Sequence, residues 1–80
     1  MAAIIQFSDG TYHGGGTAYL KSVKNVSSAK TYISVKKARA ILRILNGSRH
    51  DRYEEMIDGA IVWELEYNFL KGHKYNLEDE

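Results

Sequence analysis

The sequence predicts an α+β fold: a small antiparallel or mixed β-sheet with one main α-helix, about residues 35–45, packed on one face in the order β-β-(β)-α-β. Three observations predict it. Residues 35–45 repeat their apolar positions at the helical period, residues 60–69 alternate with the period of a strand, and the first third of the chain is extended pieces broken by turns. All of this fits into 80 residues, 44% hydrophobic and 26% charged, without proline or cysteine. Such a composition suits one small domain, 1–80, with residues 71–80 expected as a loosely held tail.

The first strand is Ala3, Ile4, Ile5, Gln6 and Phe7, which ends at the turn signal Ser8, Asp9, Gly10. A tight hairpin should follow, with Thr11, Tyr12 and His13 as its return arm. Gly14, Gly15 and Gly16 then permit a bulge or a sharp redirection and weaken any continuous strand. Residues 17–23 resume an extended pattern. A turn at Lys24, Asn25 and Val26 leads through Ser27 and Ser28, one helical turn at most, to the short extended piece Thr31, Tyr32, Ile33.

Ser34 is placed to cap the helix with its hydroxyl, and Asn46 and Gly47 are natural residues at its end. At about 100° per residue, Val35, Ala38, Ile41, Leu42 and Leu45 fall within one apolar arc, and Lys36, Arg39 and Arg43 group opposite it. One side packs and the other is wet and basic. Over residues 47–58, Asp51 and Glu54 imitate a capping box and favour a short helix, whereas Asp58-Gly59 suits a hairpin turn. From Ala60, the set Ile61, Trp63, Leu65, Tyr67 and Phe69 alternates with Val62, Glu64, Glu66 and Asn68. The aromatic set is expected against the helix and the glutamates on the outer side.

The chemistry that this inventory excludes is broad. Lack of cysteine removes a disulfide scaffold, a thiolate metal site and a cysteine nucleophile, and it suits a reducing cytoplasm. Apolar runs are too short for a membrane span or a signal-peptide core, so the protein is expected to stay in the cytoplasm. The triple glycine lacks the Lys and Ser or Thr of a phosphate loop, and it lies between extended pieces, not before a helix. His13, His50 and His73 are too scattered for a metal site and are expected at the surface. Ser8, Ser34 and Ser48 are explained by turns and caps, so neither an enzyme activity nor a cofactor is implied.

Net charge is only +1, but it is divided along the chain. Residues 1–52 hold nine cations against two acids, a net of +7, and residues 53–80 hold two against eight, a net of −6. The fold either separates these halves into two poles or interleaves them. Two candidate surfaces result. The acidic one is Glu54, Glu55, Asp58, Glu64 and Glu66, in which Glu64 and Glu66 stand roughly 6.6 to 7 Å apart on one strand face. It could occupy a basic groove built for phosphates. The basic and aromatic one is Lys36, Lys37, Arg39 and Arg43 with Tyr12, Tyr19 and Tyr32, a combination that could contact phosphate and stack bases.

Ile4 to Phe7, Asp9-Gly10-Thr11-Tyr12 with the three glycines, Ala29-Lys30-Thr31-Tyr32, Ser34 and the basic helix together form a layout over about half the chain. It resembles small proteins encoded by bacteriophages and prophages. In size and strand-helix-strand build the chain is also similar to anti-CRISPR proteins and other phage inhibitors of host defence. The resemblance implies a rigid, non-enzymatic protein in the bacterial host cell that blocks a functional surface of a bacterial protein or ribonucleoprotein complex. No class-wide motif exists, so no residue role is transferred. The alternative expectation is a small nucleic-acid-binding protein using the basic helix and exposed tyrosines. A homodimer formed through the sheet is a further expected partner state.

Overall fold

The first strand, β1 (Ala3–Gln6), is the centre of a five-stranded antiparallel sheet in a computed structural model that describes residues 2–16, 21–46, 57–66 and 69–75. The chain continues through β2 (Tyr12–His13), β3 (Ser22–Val23), one 3₁₀ turn (Val26–Ser28), α1 (Val35–Asn46), β4 (Ala60–Glu66) and β5 (Phe69–Tyr75). In space the strands run β3-β2-β1-β4-β5. The helix lies between β3 and β4 in sequence and packs on the sheet over β1 and β4. The short helix expected over residues 47–58 falls almost wholly outside the described residues.

Local chemistry explains the hairpin. Gly10 has φ +91°, a conformation in which a Cβ would be strained, and Asp9 Oδ1 accepts from the Thr11 amide at 3.0 Å and its hydroxyl at 2.6 Å. The Phe7 amide donates to the Thr11 carbonyl at 2.7 Å, and this closes the turn. Further on, Tyr32 forms a bridge to Ala3, each amide donating to the other residue's carbonyl at 2.7 and 2.8 Å. The chain thus enters α1 directly from the edge of β1.

Ser34 caps α1 as expected, accepting from the Lys37 amide at 3.1 Å. The predicted stripe is the buried one: Ala38, Ile41, Leu42 and Leu45 join Ala3, Ile5, Phe7, Tyr32, Ile57, Ala60 and Val62 in the core, with Val35 packed beside them.

Two expectations are corrected. The alternation in β4 is real, but its faces are exchanged. Ile5 stands opposite Val62, so Ala60 and Val62 lie under the helix, and Ile4 stands opposite Trp63, so Ile61, Trp63 and Leu65 point away from it. Small and β-branched side chains let α1 approach closely, while the indole N–H of Trp63 needs a partner and finds Gln6 Oε1 at 2.9 Å on the far face. The second correction is β5. Residues 71–75, expected in a loose tail, belong to a strand paired with β4 from Ala60↔Tyr75 to Glu66↔Phe69. Residues 76–80, and Tyr67 within the expected strand, lie outside the described residues. Among the described residues, no helix is long and apolar enough to cross a membrane.

Candidate functional site

Lys36, Lys37, Arg39 and Arg43 all lie exposed on α1, which contains no acidic residue. No position three or four residues from any of these cations carries a carboxylate. Arg43 sits in the last turn, where a cation is favourable, but Lys36 and Lys37 sit in the first turn at the positive end of the helix dipole. That placement costs about 0.3–1 kcal/mol per charge. A surface selected for stability alone would carry Asp or Glu there.

The cations border a concavity of about 390 Å³ whose described lining is Val35, Lys36, Arg39, Ala40 and Arg43. Val35 and Ala40 are its described apolar lining. Beside this row, Ile44 is 53% exposed, and Ile33, at the approach to α1, is 82% exposed. Going round the helix at about 100° per residue gives the order Arg39, Arg43, Lys36, Ala40, Ile44, Lys37 across the outer side. A basic row and an apolar row thus run side by side. Ile44 was visible in the sequence as the apolar residue about 60° beyond the buried arc. Ile33 gave no signal beyond preceding the cap.

The two described tyrosines of the candidate set do not join this surface. Tyr32 is buried, and its hydroxyl lies 2.5 Å from Nδ1 of His13, so the expected exposed tyrosine is a core residue. Tyr12 stands opposite Gln6 and therefore on the sheet face away from α1. Tyr19 lies outside the described residues.

His13, expected at the surface, is fully buried. Its ring stacks on Tyr32 at 5.8 Å with planes 8° apart and meets the Phe7 ring edge-on at 5.9 Å. Nε2 lies 3.0 Å from the Gly16 carbonyl, which can only accept, so the proton resides on Nε2 and Nδ1 accepts from the Tyr32 hydroxyl. Burial pushes the imidazole below its ordinary pKa of 6.5, and the Gly16 hydrogen bond offsets part of that effect. Burial likewise raises the Tyr32 phenol. Both ring nitrogens are occupied in holding the glycine loop and the Tyr32 bridge to the sheet.

Among the described acidic candidates, Glu64 does not lie on the outer face. Glu64 shares the helix side of the sheet with Val62, contrary to expectation, and lies 3.3 Å from Nε2 of His73 across the β4–β5 pair. Glu66 ends β4, paired with Phe69. Asp58 is exposed in the turn before β4, and Glu54, Glu55 and His50 lie outside the described residues. Among the described residues, no group of three His, Asp or Glu comes together as metal ligands would. No family model, curated protein or solved structure matches this chain.

Proposed function

We propose that the chain is a non-enzymatic binding module that occupies a functional surface of a bacterial protein or ribonucleoprotein complex, in the manner of the phage inhibitors it resembles, and that the outer side of α1 makes the contact. One observation carries this reading: the outer side of α1 exposes four cations and no acid, with the exposed Ile44 beside them. The buried histidine supports it too, because His13 is closed in by Phe7, Tyr32 and Gly16 and offers no ring nitrogen to a substrate. On this reading the protein acts in the cytoplasm of a bacterial host cell.

Nucleic acid is the second reading, favoured by the same cation row. The test is an affinity capture from bacterial lysate with and without nuclease, using the wild-type chain and Lys36→Glu with Lys37→Glu. The proposal predicts a nuclease-resistant protein partner that the double variant no longer retains. Capture that disappears with nuclease selects the second reading, and capture indifferent to the charge reversal rejects α1 as the contact.

A further inference from the structure

We propose that the outer edge of β5 pairs with β5 of a second copy of this chain, antiparallel and related by a two-fold axis at Gly72, so that two five-stranded sheets join into one. The direction of the peptide groups follows from the register. The Leu65 amide donates to the Ala2 carbonyl at 2.8 Å, so the odd-numbered residues of β4 turn their peptide groups toward β1 and the even-numbered ones toward β5. Those even-numbered residues, from Ala60 to Glu66, stand opposite Tyr75, His73, Lys71 and Phe69. Leu70, Gly72 and Lys74 therefore direct their amides and carbonyls away from the sheet, of which β5 is the last strand. Gly72 is exposed there although Trp63 lies against one side of it, and Lys74 is exposed as well.

Sheet edges are usually blunted by shortness, proline, a bulge or charge. The opposite edge, β3, is two residues long. By contrast β5 runs for seven residues and pairs with β4 without a bulge, in a chain that has no proline. Its charges are Lys71 and Lys74, and they limit the register. A two-fold axis at Lys71 or Lys74 would set a lysine directly opposite its own copy, which is destabilising. An axis at Leu70 or His73 leaves at least one outward position unpaired. Centred on Gly72, Leu70 meets Lys74 of the second copy, Gly72 meets Gly72 and Lys71 meets His73, so every outward position bonds and about six intermolecular hydrogen bonds form. Because Gly72 is the middle residue of β5, the edge is its own full-length complement, and this selects a second copy over an unrelated extended peptide. The helix packs over β1 and β4, so the pairing does not use the outer side of α1 and stands apart from the reading of that side as a contact.

Edge pairing alone makes a small interface, below about 1,200 Å², so the dimer is expected in concentration-dependent exchange with a Kd of roughly 1 μM to 1 mM. Sedimentation equilibrium across that range should show the average mass rising from one chain toward two. Amide hydrogen exchange of the wild type supplies the register: Leu70, Gly72 and Lys74 should exchange about twofold slower when half the chains are dimeric, while Lys71 and His73, already bonded to β4, stay unchanged. A mixture of isotope-labelled and unlabelled chains should give an intermolecular NOE between the Hα protons of Lys71 and His73. Lys74→Pro deletes an outward N–H without deleting a bond to β4, at a position where an edge strand tolerates proline, and should weaken association at least about tenfold. The mass of one chain throughout the range, protection gained elsewhere in the chain instead, absence of the NOE, or equal association of the folded variant would each overturn the proposal. Should the variant fail to fold, the exchange pattern and the NOE of the wild type decide alone. Outward amides that stay unprotected at every concentration and slow only when the partner captured from lysate is added would give the edge to a foreign strand and reject self-pairing.

Discussion

The hydroxyl of Tyr32 donates to Nδ1 of His13 across 2.5 Å, joining β2 to the segment that enters α1 nineteen residues later. Because Nε2 is committed to Gly16, removing the phenol oxygen leaves a buried acceptor without a donor. Tyr32→Phe should lower stability by about 1–3 kcal/mol in urea denaturation, the cost of an unsatisfied buried polar group. A loss within experimental error of zero would mean that the bond is not formed in solution.

The same imidazole sets a pH dependence. Its folded-state pKa lies below the ordinary 6.5, so in the window beneath 6.5 the unfolded chain binds more protons than the native one. The contribution of His13 is fully present above 6.5 and is lost as pH falls toward the folded value. Its slope reaches at most about 1.4 kcal/mol per pH unit for one proton. Denaturation midpoints measured between pH 7.5 and 5 should fall for the wild type, and His13→Gln should flatten this component even though it is less stable throughout.

Ser34 accepts from the Lys37 amide at 3.1 Å, and no acid in the first turn assists it. Ser34→Ala should therefore cost about 1 kcal/mol, and Ser34→Asp should recover that loss by also opposing the dipole. Equal stability of all three proteins would show that the helix start is held by packing alone.

Glycine at position 72 is required by space. A Cβ there would come within 2.9 Å of Trp63 Cζ3 and 3.1 Å of Ile61 Cγ2. The indole cannot swing away freely, since its N–H is held by Gln6 at 2.9 Å. Alanine normally stabilises a strand relative to glycine, but Gly72→Ala should destabilise this one by about 1–3 kcal/mol and shift the tryptophan emission. A stabilised variant would contradict the packing of Trp63 across β5.

Much of this was legible in the residues. The helical period of residues 35–45, the Ser34 cap and the Asp9-Gly10 hairpin each arise from local chemistry, and each is present. The faces of β4 were not, because both alternating sets contain apolar residues and only the register with β1 decides which set meets the helix. β5 escaped notice because Lys71, Gly72 and Lys74 spoil any apolar period, and its strand state comes from pairing with β4. The cations of the candidate site could be read from a helical wheel. The burial of Tyr32 and His13 could not, since their contacts span the chain and form only when β2 and the approach to α1 converge.

Amide chemical-shift mapping of the isotope-labelled chain against the partner captured from nuclease-treated lysate tests the central claim most directly. Perturbations concentrated on Ile33 and residues 35–46, and abolished by Lys36→Glu with Lys37→Glu, are the predicted result. Perturbations confined to β4 and β5, or to the sheet face carrying Tyr12 and Trp63, would contradict it.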